Sequence, residues 1–120
     1  MDSLIEDEPR LLCRIEDIPD GGAKGFRAAA GGFTGLMAVR RGERVFVYVN
    51  SCPHIGTPLD WTPDRFLSRD SRFIVCATHG AEFQIADGLC IRGPCRGDRL
   101  EAVQAEIRDG TIYVPHDAGL

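Results

Sequence analysis

The sequence predicts an all-β protein, an antiparallel sandwich or barrel contained in one domain. Short apolar runs rich in β-branched residues recur along the 120 residues, and segments rich in glycine, proline and aspartate separate them. Short strands at regular intervals with such turns are typical of sandwiches and barrels. No stretch shows the 3.6-residue periodicity of a long amphipathic helix. The length fits a single domain with a modest core.

The strand-like runs can be placed in chain order. They cover residues 10–15, 33–39, 44–49, 72–75, 82–85, 99–107 and 111–114. A glycine-containing turn joins the second run to the third, and Asp87-Gly88 ends the fifth. The last two runs flank Asp109-Gly110, which predicts a final hairpin with Val103, Ala105 and Ile107 on one face.

The run 44–49 is the most strongly apolar of these. Val45, Val47 and Val49 fall on one face of the predicted strand, and Phe46 and Tyr48 fall on the other. Because both faces are apolar, we expect this strand to be buried.

Charge and hydropathy exclude several function classes. The formal net charge is −4, which argues against a nucleic-acid partner. No stretch approaches the roughly 20 apolar residues of a membrane-spanning helix. Residues 1–9 form an acidic segment that lacks the positive and apolar regions of a secretory signal. These features favour a soluble cytoplasmic protein without a membrane partner.

Two short segments carry the candidate metal ligands. Each follows a strand-like run and supplies one cysteine and one histidine: Cys52 and His54 in the first, Cys76 and His79 in the second. Two thiolates and two imidazoles suit either a tetrahedral zinc ion or an iron–sulfur cluster. Zinc fingers usually keep their two cysteines together and their two histidines together, whereas each segment here is mixed. That arrangement fits a [2Fe–2S] cluster with both cysteines on one iron and both histidines on the other.

The pattern Cys52-x-His54 with Cys76-x-x-His79-Gly80 resembles the Rieske ferredoxin family, from about residue 11 to residue 114. The resemblance implies the Rieske fold, with an antiparallel sandwich or barrel as its base and a cluster-binding subdomain of about residues 50–95 inserted into it. It also implies that Cys52, His54, Cys76 and His79 bind a Rieske-type [2Fe–2S] cluster. Other residues of the site would line or cover the cluster: Ile55, Gly56, Gly80, Ala81, Gly93 and Pro94.

The same resemblance bears on the reduction potential. High-potential members of the family carry a hydroxyl two residues after the second histidine and a tyrosine two residues further on, where this chain has Ala81 and Phe83. They also join the two loops by a disulfide, at positions that correspond to Thr57 and Ala77. Hydrogen bonds to the cluster stabilise its reduced state, so we expect a potential near the low end of the Rieske range, around −150 mV.

The resemblance implies a soluble one-electron carrier rather than an enzyme in its own right. Such a carrier takes electrons from a flavin-dependent reductase and delivers them to a terminal oxygenase. Two alternatives remain open: an accessory [2Fe–2S] subunit of a nitrite reductase-like oxidoreductase, and a zinc-stabilised interaction module without redox function.

Four residues outside the two segments have chemically distinctive side chains. We expect Cys13 to be a small core residue, and Trp61 to pack as an aromatic rather than to shield the cluster. Cys90 and Cys95 are expected to be thiols in a reducing cytoplasm, although they are close enough in sequence for a local disulfide.

Overall fold

The computed structural model describes residues 9–26, 35–53, 59, 66–76 and 80–115, which contain ten short strands in three antiparallel sheets. The strands are β1 (Arg10–Arg14), β2 (Ala23–Phe26), β3 (Leu36–Arg41), β4 (Arg44–Val49), β5 (Phe73–Val75), β6 (Glu82–Gln84), β7 (Cys90–Arg92), β8 (Ala102–Val103), β9 (Glu106–Arg108) and β10 (Thr111–Val114). A 3-10 turn at Ile15–Asp17 is the one helical element among the described residues, and no helix there is long and apolar enough to cross a membrane. The predicted all-β class is confirmed.

The sheet β2-β3-β4-β8 lies between the two others. Its strands alternate their side chains between two buried clusters, as a strand with two covered faces must. In β4, Val47 and Val49 join the cluster shared with the sheet β1-β10-β9, whereas Tyr48 joins the cluster shared with the sheet β5-β6-β7. Val45 and Phe46 follow the same alternation, so both predicted faces of this strand are confirmed.

The third sheet, β5-β6-β7, is inserted in the chain between two paired strands. β4 pairs with β8, with Val47 opposite Val103 and Tyr48 opposite Ala102. The chain therefore leaves the four-stranded sheet after β4, builds the third sheet and returns beside β4. Ile74 of β5 lies opposite Phe83 of β6, and both are 0% exposed, so this pair forms the centre of the third sheet.

The predicted final hairpin is wrong in part. The run 99–107 does not form one strand: Ala102–Val103 pairs with β4, and Glu106–Arg108 pairs with β10. The chain changes sheets between them, which leaves Ile107 at 40% exposed. Alternating apolar and polar residues predict an extended chain, but they do not predict which strand pairs with it, and this explains the error.

Two strands, β2 and β7, were not predicted. Ala23–Phe26 contains a lysine and a glycine and no β-branched residue, so its sequence carries little strand propensity. It is extended because it pairs along the whole length of β3, from Ala23 opposite Val39 to Phe26 opposite Leu36. The first two predicted residues of the run 33–39 lie outside the described residues.

Candidate metal centre

Both candidate cysteine ligands lie at the ends of strands and are buried. Cys52 comes three residues after the end of β4 and is 2% exposed, and Cys76 directly follows β5 and is 0% exposed. Both belong to the buried cluster between the four-stranded sheet and the third sheet. The two segments therefore bring their cysteines into one region of the protein.

Two backbone hydrogen bonds close the second segment. The Gly80 N–H donates to the Cys76 carbonyl at 2.8 Å, and the Cys76 N–H donates to the Ala81 carbonyl at 2.9 Å. Gly80 has φ +69°, which a residue without Cβ adopts without steric cost. The two ends of the segment are thus held together, and Cys76 is fixed at the end of β5.

The side chain of Asn50 spans the first segment. Its Oδ1 accepts a hydrogen bond from the Leu59 N–H at 2.8 Å, while the backbone N–H of Asn50 donates to the Gly35 carbonyl at 2.9 Å. Leu59 is 0% exposed, so the bond anchors the far end of the segment in the core. Sequence reasoning did not select Asn50 as a functional residue. The available signal was a short amide side chain between a buried strand and a candidate ligand.

The Gly93-Pro94 turn lies directly against Ala81. Gly93 has φ +106°, and a Cβ on it would lie 2.8 Å from the Ala81 Cα and 3.0 Å from the Ala81 Cβ. No real side-chain carbon fits at such distances, so glycine alone allows this approach. Gly93 and Pro94 are exposed, whereas Ala81 is 1% exposed. The turn therefore forms an outer layer over the chain that follows the second segment.

The described residues include only part of the predicted site. Cys52, Cys76, Gly80, Ala81, Gly93 and Pro94 are described and lie as given above. Four others lie outside the described residues: His54, Ile55, Gly56 and His79. The same holds for Thr57, Trp61 and Ala77. Among the described side chains alone, no group of three or more His, Cys, Asp or Glu residues is arranged to hold a metal ion.

Residues 8–111 match the family model of the Rieske [2Fe-2S] domain. The chain belongs to the Rieske [2Fe–2S] family. The match spans both candidate segments and the Gly93-Pro94 turn, and the resemblance drawn from those residues is confirmed. A Rieske-type [2Fe–2S] cluster is accordingly the cofactor of this chain.

Solved structures of ferredoxins share the fold. The ferredoxin of carbazole 1,9a-dioxygenase from Nocardioides aromaticivorans IC177 is 23% identical, with 91% of this chain and 98% of that chain covered and a TM-score of 0.72. The Sphingomonas yanoikuyae B1 ferredoxin is 24% identical, with 91% and 99% covered and a TM-score of 0.72. A chain from the complex of reduced oxygenase and oxidized ferredoxin in carbazole 1,9a-dioxygenase is 22% identical, with 93% and 96% covered and the same TM-score of 0.72. No curated protein matches this Rieske chain at a significant level.

The described donors fit the cluster that the family carries. Cys52 and Cys76 come from two separate loops, lie in one buried region, and form no disulfide with any other cysteine. Soft thiolate donors in such a region suit iron–sulfur binding. The surrounding side chains are mostly apolar, which keeps water away from the site and affects the potential. Apolar members of this buried cluster include Met37, Leu59, Phe66, Ile74, Phe83 and Leu100.

The two side chains at the positions that tune high-potential Rieske proteins donate no hydrogen bond here. Ala81 is 1% exposed and Phe83 is 0% exposed, so both are fixed in the core beside the candidate site. Neither carries an O–H or N–H group in its side chain. Their burial is consistent with the low potential expected from the sequence.

The site region contains a second pair of sulfur atoms. Cys90 and Cys95 are 1% and 2% exposed, and the Cys95 thiol donates to the Cys90 sulfur at a distance of 3.1 Å. Burial, the hydrogen bond to Cys90 and the negative charges of Cys90 and Cys52 together raise the pKa of Cys95 to about 12. The pair belongs to the same buried cluster as Cys52 and Cys76. Sequence reasoning treated these cysteines as thiols but did not predict their contact.

Proposed function

We propose that this Rieske protein is a one-electron carrier whose cluster is held by Cys52 and Cys76 on one iron and by His54 and His79 on the other. The observation that carries the proposal is the burial of Cys52 and Cys76 in one region, next to the Gly93-Pro94 turn, in a chain that matches the Rieske family model. The bound cluster supplies reversible one-electron transfer. The protein positions the two cysteines after the ends of strands β4 and β5, in a cluster of mostly apolar side chains.

The carrier domain would comprise residues 1–120, with about residues 50–95 as its cluster-binding subdomain. The insertion of the third sheet between the paired strands β4 and β8 supports this division. Ile55, Gly56, Gly80, Ala81, Gly93 and Pro94 would line or cover the cluster. The contact between Gly93 and Ala81 supports the covering role of the turn.

We propose a terminal oxygenase as the electron acceptor and a flavin-dependent reductase as the donor. The structural neighbours with known partners are ferredoxins of dioxygenase systems, including one in complex with its oxygenase. The chain would act in the cytoplasm as an electron-transfer component without a substrate reaction of its own. Its net charge of −4 suits electrostatic steering towards basic patches on its partners.

The decisive experiment is spectroscopic. The protein is purified without oxygen, and its absorption and electron paramagnetic resonance spectra are recorded before and after dithionite. We expect a brown protein whose reduced signal has the low average g value of a histidine-ligated cluster. A colourless protein with stoichiometric zinc and no iron or sulfide, even after anaerobic reconstitution, would overturn the proposal.

Variants then test the ligand set. Cys52→Ser, Cys76→Ser, His54→Ala and His79→Ala should each lose the cluster signal. Cys13→Ser is the matched control, because Cys13 is buried in the other core cluster and should leave the signal unchanged. Retention of the native spectrum in any of the four ligand variants would contradict the assignment of that residue.

A second experiment separates a diffusing carrier from a permanent subunit. The carrier should elute alone from a size-exclusion column after purification from its native host at moderate salt, and should be re-reduced many times by a catalytic amount of reductase. Stoichiometric co-elution with a larger catalytic subunit would contradict the carrier and favour the accessory-subunit alternative.

A further inference from the structure

Cys90 and Cys95 stand at the two ends of the Gly93-Pro94 turn. Their sulfur atoms are 3.1 Å apart although five positions separate them in sequence, because the chain folds back between them. Three backbone hydrogen bonds hold this arrangement: Cys90 N–H to the Asp98 carbonyl at 2.8 Å, Gly97 N–H to the Cys90 carbonyl at 3.0 Å, and Asp98 N–H to the Cys95 carbonyl at 2.8 Å. The backbone therefore keeps the two thiols together.

The sulfur–sulfur distance is that of a short non-covalent contact. A disulfide joins its sulfurs at about 2.05 Å, so the two atoms have to approach by about 1 Å. No disulfide joins any of the five cysteines, all of which lie in the described residues. Cys13 belongs to the other core cluster, and Cys52 and Cys76 are the candidate ligands. Cys90 and Cys95 are the neighbouring thiols that the proposed function does not use.

We propose that Cys90 and Cys95 form a reversible disulfide, which makes the turn over the cluster a redox-sensitive lock. The bond closes residues 90–95 into a ring that contains Gly93 and Pro94. Because Gly93 already lies against Ala81, the ring holds the turn in contact with the chain beside the candidate ligands. The effect of the lock on the cluster rests on the proposed function, whereas formation of the disulfide does not.

Hydrogen peroxide is the oxidant that the surroundings favour. Both thiols are buried, but Gly93, Pro94, Arg96 and Gly97 around them are exposed, so only a small oxidant reaches the pair after a local opening of the turn. The Cys90 sulfur, which accepts a hydrogen bond from the Cys95 thiol, attacks a peroxide oxygen, the O–O bond breaks, and a sulfenic acid and one water form. The second sulfur then forms the S–S bond and displaces the sulfenic oxygen as a second water.

Electrons and protons are conserved in this reaction. The two thiols lose two electrons and two protons, and hydrogen peroxide accepts both electrons and both protons as it becomes two water molecules. A small dithiol restores the two thiols by thiol–disulfide exchange and is itself oxidised to a disulfide.

The test uses the cluster-containing protein. It is treated with equimolar hydrogen peroxide, denatured in the presence of an alkylating reagent, and analysed by intact mass and by peptide mapping. Relative to the untreated protein, we expect two fewer alkyl groups, a peptide link between Cys90 and Cys95, and reversal of both by dithiothreitol before alkylation. Cys90→Ser and Cys95→Ser should each abolish the link, and Cys13→Ser should retain it.

Three outcomes would overturn the proposal. The first is alkylation of both cysteines after the treatment, the second is a sulfinic acid on one of them without a link, and the third is a link from Cys95 to Cys52. All three are read in the unsubstituted protein, so the inference stays testable if a serine variant fails to fold. Because the mass does not depend on the cluster, a missing cluster would overturn the proposed function and leave this result unaffected.

The lock itself is measured by the rate of iron loss to a chelator. We expect peroxide-treated protein with the Cys90–Cys95 link to release iron several-fold more slowly than the dithiol form, since opening of the turn is restricted. An equal or faster release in the linked form would contradict the locking role.

Discussion

At the scale of single residues, Gly93 has the tightest steric requirement near the site. A methyl group on it would lie 2.8 Å from the Ala81 Cα, whereas a methyl group on Gly97 would meet nothing within 4 Å. Both glycines have positive φ, +106° and +95°, so both pay a similar conformational cost on substitution. A comparison of substitutions at these two glycines therefore separates the effect of the steric contact with Ala81 from the effect of backbone strain.

We therefore predict that Gly93→Ala lowers the free energy of unfolding more than Gly97→Ala does, by about 1–3 kcal/mol from overpacking. The measurement is chemical unfolding of both variants, with the iron content of each as purified. Equal destabilisation by the two substitutions would show that the contact with Ala81 has no energetic weight.

Ala81 is the residue at which a single hydroxyl group should change the redox properties. Hydrogen bonds to cluster atoms stabilise the reduced, more negative state. We predict that Ala81→Ser raises the reduction potential by tens of millivolts, measured by electrochemistry on a film of the protein. Ala86→Ser, at an exposed position in the turn after β6, is the control and should leave the potential unchanged. A potential that falls or does not move in Ala81→Ser would contradict this account of tuning by the side chain.

Tyr48 connects two sheets through one buried hydrogen bond. Its hydroxyl donates to the Ile85 carbonyl, which lies in the turn after β6. Burial, assisted by the charge of Asp87, raises the pKa of Tyr48 from 10.0 to about 12. The unfolded chain thus loses this proton at a lower pH than the folded protein. The stabilising contribution is complete below pH 10.0 and is lost as the pH rises through about 12.

Tyr48→Phe should lower the free energy of unfolding at neutral pH by about 1–3 kcal/mol, because it leaves the Ile85 carbonyl buried without its donor. The variant should also lose less stability than the unsubstituted protein between pH 10.0 and about 12. Urea unfolding at several pH values measures both effects, with Tyr113→Phe as the control on a half-buried tyrosine of β10. Identical alkaline profiles for Tyr48→Phe and the unsubstituted protein would refute the role of this phenol.

At the scale of elements, the end of β4 determines how the first candidate segment begins. Asn50 accepts the Leu59 N–H through its side chain and so fixes both ends of the segment that carries Cys52. We predict that Asn50→Ala releases iron to a chelator several-fold faster, since the buried Leu59 N–H loses its acceptor. Asn50→Asp keeps an acceptor oxygen and should retain most of the original rate. Equal rates for Asn50→Ala and the unsubstituted protein would show that the segment needs no such anchor.

Elements with strong local patterns could be predicted from the sequence, and elements defined by their neighbours could not. The two-faced apolar pattern of β4 was sufficient to predict its burial. The mixed cysteine and histidine segments predict a shared site, and the structure describes its two cysteines, which lie in one buried cluster. β2 is a strand because of its pairing with β3, which its own residues do not reveal. The division of the run 99–107 between two sheets depends on distant strands in the same way.

Parts of the site escaped prediction for a related reason. The Asn50 anchor and the contact between Cys90 and Cys95 depend on the folding back of short loops, which places side chains within 2.8 Å and 3.1 Å of their partners. A sequence shows which groups are present but not these distances. The sequence shows that Gly93 precedes Pro94, but only the structure shows that Ala81 leaves no room for a Cβ on Gly93.

At the scale of the whole molecule, the two buried clusters divide the core by function. One contains Cys52, Cys76 and the centre of the third sheet, and the other joins the sheet β1-β10-β9 to the opposite face of the four-stranded sheet. Ligands that bind only the folded state stabilise it, and local stability follows the cooperative units that they touch. Loss of the iron–sulfur cluster should therefore affect the two halves of the core unequally.

We predict that removal of the cluster speeds amide hydrogen exchange in β5, β6 and β7 by more than tenfold and changes exchange in β1 and β10 much less. Hydrogen exchange with mass spectrometry on protein with and without the cluster measures both halves in one sample, so the sheet β1-β10-β9 is the internal control. A uniform increase along the chain would show that the two clusters of core residues unfold as one unit.

The pairing of β4 with β8 has a consequence for how such proteins diversify. The Val49 N–H donates to the Glu101 carbonyl at 2.9 Å, so the chain leaves the four-stranded sheet after β4 and re-enters it before β8 at neighbouring positions. The length of an insertion whose ends are already joined changes the entropy of loop closure only slowly. We expect lineages to lengthen, shorten or replace the segment between these two residues while the base stays the same. The same junction is where an engineer would graft a cluster-binding segment of different potential onto this scaffold.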